Sequence, residues 1–226
     1  MMARPYAASA MRALAVLCLV LLLPVLTGCS GLSRGSLDAA RLAVFGAKLE
    51  ITPEQVAANP YAQILVQGDD FEALMVLGND DAGRSAWYSP DRRIVFLRDG
   101  LVAGTTGLPQ DASDIRLVGD SPFSRLATLQ GTAPTLRRYD WMPGYRHGAM
   151  VEGELRRIGP EQVEILGTTH TLVRFDEVLH GAGVDATNRY WVEPQTGFIR
   201  KSRQLVAPGL SVDLVQLKPY RPGGTR

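Results

Sequence analysis

The sequence predicts a mainly β fold: an antiparallel barrel-like or half-barrel sheet, with a sandwich as the other way to close it, and one or two short N-terminal helices. Three observations point there. Alternating or wholly apolar segments recur from Tyr61 onward, with Gly or Pro between most of them. Asp99-Gly100 sits between two such segments, a two-residue hairpin signal. No repeat of fixed length and no recurring helical crossover appears, which argues against a parallel α/β sheet.

The chain opens with a segment built for removal. Arg4 and Arg12 precede an uncharged run, Ala13 to Leu26, which is shorter than the roughly 20 apolar residues a membrane-crossing helix needs. Leu26-Thr27-Gly28-Cys29 then resembles a bacterial lipobox, in which small residues admit the peptidase and the cysteine becomes the lipidated first residue. An ordinary secretory signal that happens to carry a cysteine is the alternative. This divides the chain into a lipoprotein signal peptide (1–28), a lipidated tether (29–35) and a single β-rich periplasmic domain (36–226). Residues 1–28 hold two arginines and no acid, so their removal takes the formal charge from +1 to −1. Bulk charge therefore gives no attraction for nucleic acid. Cys18 leaves with the signal and Cys29 takes the lipid, so no disulfide, cysteine metal site or cysteine nucleophile is expected. Ser30, which is not Asp, points by analogy with Gram-negative lipoproteins to the outer membrane, facing the periplasm.

Ser36 is placed to cap a helix at Leu37–Phe45 that Gly46 ends, with Leu37, Ala40 and Val44 suited to pack on a sheet. Thr52-Pro53-Glu54-Gln55 starts a second helix: Thr52 caps, Gln55 completes a capping box, and Asn59-Pro60 stops it. From Tyr61 the pattern is β. Ala62, Ile64 and Val66 share one parity, with Gln63 and Gln67 on the other, Phe71–Leu77 is apolar on both faces, and Asn79-Asp80-Asp81 reads as a turn into Arg84–Ser89. Arg93–Arg98 and Leu101–Thr105 flank Asp99-Gly100. Residues 107–135 read as irregular, with Pro109, Pro122 and Pro134 breaking any long element. Later strands are expected at Thr135–Trp141, Ala149–Arg157, Gln162–Leu166, Thr171–Leu179, Arg189–Glu193, Phe198–Val206 and Val212–Leu217.

The most distinctive stretch runs from Asn188 to Gln204, where Pro194-Gln195-Thr196-Gly197 fits a turn and Tyr190 and Trp191 point to opposite faces of one strand. With four other features it resembles the YjbF/GfcB family, lipoproteins of group 4 capsule and related exopolysaccharide operons. Those features are the lipobox, Asn59-Pro60-Tyr61-Ala62, Trp87 before the Asp99-Gly100 hairpin, and Gly104-Thr105-Thr106-Gly107-Leu108; Leu217-Lys218-Pro219 closes the pattern. The resemblance spans nearly the whole mature chain, and the order of the pieces is its specific part. It implies a mostly β, barrel-like fold and a role in exporting polysaccharide across the outer membrane. The implied partners are a large outer-membrane barrel protein and periplasmic export proteins of the same operon. It carries over no catalytic residue.

The residues themselves offer little chemistry. Of His147, His170 and His180, the last two share parity on a possible strand but lie far apart unless it bends, and neither a metal nor a cofactor is expected. Asp176 and Glu177 face opposite sides of a strand, so by themselves they are no glycosidase dyad. Ser36, Ser121 and Ser202 have no Gly-x-Ser-x-Gly context, and Gly104-Thr105-Thr106-Gly107 lacks the lysine of a phosphate loop. Arg200, Lys201 and Arg203 form a basic cluster, most simply a solvated edge that discourages strand pairing, with an anionic glycan or lipid site as the alternative. Aromatics usually fill a core. The candidate glycan or ligand contacts are Trp87, Trp191 and Arg200, and Cys29 is the lipidation site.

The expected function is a non-enzymatic outer-membrane lipoprotein that assists capsule or exopolysaccharide secretion, bound to the membrane through acylated Cys29 and contacting polysaccharide. Two other classes stand beside it. Tyr190 to Gly197 also resembles a stretch of periplasmic lipoprotein carriers, half-open barrels that hold lipid or acyl chains. The third class is a polysaccharide hydrolase or lyase.

Overall fold

The structure, a computed structural model, describes residues 49–221. Cys29, the tether and the Leu37–Phe45 helix lie outside them. Among the described residues there is one α-helix, α1 (Pro53–Ala58). The Thr52 hydroxyl accepts from Gln55 N (3.3 Å) while Thr52 N donates to the Gln55 side chain (3.1 Å), the reciprocal capping box the sequence predicts. Asn59, extended and followed by Pro60, ends the helix.

Twelve strands follow: β1 (Gln63–Gln67), β2 (Glu72–Asp81), β3 (Arg84–Tyr88), β4 (Ile94–Arg98), β5 (Leu101–Thr106), β6 (Ala112–Leu117), β7 (Thr132–Trp141), β8 (Arg146–Ile165), β9 (Thr168–Gly181), β10 (Val184–Val192), β11 (Ile199–Ala207) and β12 (Leu210–Lys218). They form one antiparallel sheet in the order β5-β4-β3-β2-β1-β12-β11-β10-β9-β8-β7-β6. Every strand thus pairs with its neighbour in the chain, β12 returns to pair with β1, and the one link missing from the ring is β5 to β6. The sheet is a nearly closed barrel, as the sequence predicts.

Three expectations are corrected. Asn79-Asp80-Asp81 belongs to β2, and the turn is Ala82-Gly83, where Asp80 accepts a hydrogen bond from Gly83 N at 2.8 Å. Residues 107–135 contain β6, a 3-10 turn at Pro122–Arg125 and the start of β7. Pro134 sits inside β7 without breaking it, because β6 pairs only from Leu117↔Arg137 onward. Pro134 therefore occupies a stretch with β8 on one side and no strand on the other, where a missing N–H is tolerated. The same logic fuses two predicted strands into β8. The register against β9 shifts between Arg157 and Gly159, just before Pro160 and past the point where β7 has ended, so the strand is interrupted by a bulge and not by a turn.

Alternation sorts the side chains. Ile64, Val66, Met75, Trp87, Val95, Tyr139, Trp141, Val151, Leu179, Val212 and Leu214 pack into the main core, and Phe123, Leu155, Phe175 and Tyr190 into a second. Trp141 Nε1 donates across the interior to the Val206 carbonyl at 3.0 Å.

Candidate functional site

Within the second core lies a fully buried polar network. Arg137 (2% exposed) on β7 forms a two-pronged pair with Glu177 (0%) on β9, Nε to Oε1 at 2.8 Å and Nη2 to Oε2 at 2.9 Å. The remaining capacity of the carboxylate is taken by Thr135 Oγ1 (2.8 Å), Asn188 Nδ2 (3.0 Å) and the Tyr190 hydroxyl (2.8 Å). Asn188 Oδ1 in turn accepts from Leu205 N at 2.7 Å. Gly153 lies between Thr135 and Leu179 on the flanking strands, and a Cβ there would stand 2.2 Å from Thr135 Oγ1. Its bare backbone makes the room the network occupies. Burial pushes the Glu177 carboxyl up, but the Arg137 charge and the hydrogen bonds from Arg137, Thr135 and Asn188 outweigh it and hold it below the ordinary value of 4.5. Burial likewise drives the Tyr190 hydroxyl well above its usual 10. Arg137, Glu177, Thr135, Asn188 and Tyr190 all have partners, so together they form a structural polar network inside the core.

The surface feature with chemical potential is the seam between β5 and β6. One end is tied by Asp111, which accepts from the Thr105 hydroxyl (2.9 Å), Gly107 N (2.8 Å) and Leu108 N (3.1 Å), while Ala112 N donates to Thr105 Oγ1 (3.1 Å). The other end is closed from inside. The Gln204 side-chain amide, reaching from β11, donates to the Gly100 carbonyl and accepts from Val102 N, both at 3.0 Å. That amide satisfies the two groups a neighbouring strand would use, so the ladder stops without leaving them orphaned. Outside this plug a cleft of about 460 Å³ opens, with Leu101 and Ile115 in its floor and Arg84, Arg98, Arg116, Asp99 and Asp114 around it. A second, more apolar cleft of about 690 Å³ lies over β2 and β3, lined by Leu49, Leu74, Val76, Tyr88 and Pro90 among others.

The structure puts the candidate contact residues in separate environments. Trp87 is 1% exposed in the main core, its Nε1 donating to Ser85 Oγ at 2.9 Å. Tyr190 and Trp191 do face opposite ways: Tyr190 joins the buried network, and Trp191 packs with Val163, Ile165 and Leu172 under a smaller cluster, with Lys201 Nζ 4.9 Å above its ring. Arg200 is tied to Glu193 (3.4 Å), which also holds Arg221, and Arg203 pairs with Asp213 at 2.6 Å. The basic cluster on β11 is thus already neutralised or stacked. Asp176 and Glu177 divide as alternation requires, Asp176 to Arg174 outside and Glu177 to Arg137 inside. Sequence reading missed the Arg84–Arg98 pair. The signal was the register of the β3–β4 hairpin, which sets these two residues directly opposite each other.

Comparison with known proteins follows the same lines. A family model described as group 4 capsule polysaccharide lipoprotein gfcB, YjbF, matches residues 37–217. The uncharacterized lipoprotein GfcB of Escherichia coli (strain K12) is 22% identical over 200 residues, covering 86% of this chain and 94% of that protein. The crystal structure of the hypothetical lipoprotein YmcC from Escherichia coli (K12) superposes with a TM-score of 0.68 at 22% identity, over 81% of this chain and 96% of that one. At that identity the superposition speaks for the fold alone.

Proposed function

The chain belongs to the YjbF family of group 4 capsule polysaccharide lipoproteins, and from that membership we propose that it is a non-enzymatic accessory of capsule or exopolysaccharide secretion. It is held at the outer membrane by acylated Cys29 and faces the periplasm. There it contacts the polymer and the operon's outer-membrane barrel and periplasmic export proteins. The observation that carries this reading is the family match across nearly the whole folded domain, in which the buried Arg137–Glu177–Tyr190 network is engaged in structural pairs. Against the lipid-carrier reading stand Trp87, Tyr139, Trp141 and Phe175, large side chains fully buried in the cores.

Two measurements test it. Deleting the gene is expected to reduce surface and released polysaccharide while polymer accumulates in the periplasm; unchanged amount, location and chain length would overturn the secretion role. Cys29→Ala is expected to move the protein from the membrane to the soluble periplasmic fraction with its circular dichroism intact. Normal membrane fractionation of that variant would remove the anchor.

A further inference from the structure

Arg84 and Arg98 stand directly opposite each other across the β3–β4 ladder, an arrangement that like charges disfavour. Among the described residues no carboxylate pairs with either. Arg84 is held in place: its guanidinium lies 3.7 Å from the centroid of the Phe96 ring. Its Nη2 sits 3.1 Å from where a Cβ on Gly104 would stand, so the absence of a side chain at 104 makes its berth. Across the seam, Arg116 meets Asp114 at 3.6 Å, the arginine largely in solvent and the aspartate partly so, a loose pair. Counting Asp99 as well, three guanidiniums face two carboxylates around an apolar floor. The cleft, at about 460 Å³, falls in the range of small-ligand sites. The contrast with β11 decides between the two basic clusters: Arg200 and Arg203 are paired with acids, Arg84 and Arg98 are not.

We propose that this cleft binds an acidic sugar unit of the polysaccharide, its carboxylate or phosphate group lying between the Arg84 and Arg98 guanidiniums and its ring on the apolar floor. Planar forked donors suit both anions. The proposal rests on the secretion reading above for the identity of its ligand.

The test is calorimetric titration of the mature lipoprotein in detergent micelles with three oligosaccharides of equal length: an oligouronate, a phosphorylated oligohexose and a neutral oligoglucan. At least one acidic chain is expected to bind, with the neutral chain about tenfold weaker or more. Arg98→Gln, at an exposed position, is expected to weaken acidic binding by about tenfold, and Arg156→Gln, an exposed arginine of β8, to leave it unchanged. Which acidic chain binds separates carboxylate from phosphate. Equal binding of acidic and neutral chains, no binding of any, or wild-type binding by Arg98→Gln overturns the proposal. Complementing the deletion strain with Arg98→Gln separates the two readings. If the deletion itself leaves export normal, the secretion role fails whatever the cleft binds. If export needs the protein but tolerates Arg98→Gln, and the titrations are flat, the cleft proposal alone fails.

Discussion

At the residue scale the strongest commitment is Glu177. Its carboxyl titrates lower in the folded protein than in the unfolded chain, for which 4.5 is the ordinary value. Between those two values the unfolded chain binds the extra proton, so stability rises with pH there and is lost as pH falls through the folded value. Urea unfolding at successive pH values is expected to show this acid loss, and Glu177→Gln to flatten it. The same substitution leaves Arg137 buried without a counter-charge, at a cost of about 3–5 kcal/mol at neutral pH. A Glu177→Gln protein with the wild-type acid slope would place the titration elsewhere. Neither half of this pair was legible as a pair in the sequence. Arg137 and Glu177 are 40 positions apart, and only the ladder from β7 through β8 to β9 brings them face to face. What could be read was parity: adjacent Asp176 and Glu177 had to part company across the strand.

Turns and edges set the terms at the element scale. Four two-residue turns, Ala82-Gly83, Asp99-Gly100, Leu166-Gly167 and Ala182-Gly183, have positive φ at both positions. Only Asp99-Gly100 announces itself, because Asp and Asn tolerate the left-handed region and Ala and Leu do so poorly. Ala82 is exposed, so Ala82→Asn is expected to stabilise the protein by about 0.5–1 kcal/mol, a rise in Tm of about 1–4 °C. A lowered Tm would mean that the alanine makes a contact worth more than the turn preference. The seam makes the opposite case, a weakness covered at one end by a single side chain. Gln204→Leu removes the partner of both Val102 N and the Gly100 carbonyl, at about 1–3 kcal/mol per uncovered group. Hydrogen exchange at the Val102 amide is expected to accelerate in that variant while β8 and β9 stay protected. Unchanged exchange at Val102 would show that the amide is not what closes this end.

Across the whole molecule, strand content and the near-closed sheet were readable because alternation and turn residues are local signals. Proline was the misleading one: Pro134 and Pro160 look like breakers until the topology shows that each lies where a neighbouring strand has ended. Ligand chemistry was less readable still, since Trp87 and Arg84 lie three residues apart in one strand and one faces the core while the other faces the seam. The cyclic strand order also has a consequence in time. All ladders but one join strands that follow each other in the chain, so hairpins form as soon as their two halves exist. The exception is β1 with β12: Val66 has no partner on that side until Leu214 arrives. A chain that emerges N-terminus first therefore carries an open β1 edge until its final strand is out, and folding cannot finish before the whole chain has emerged.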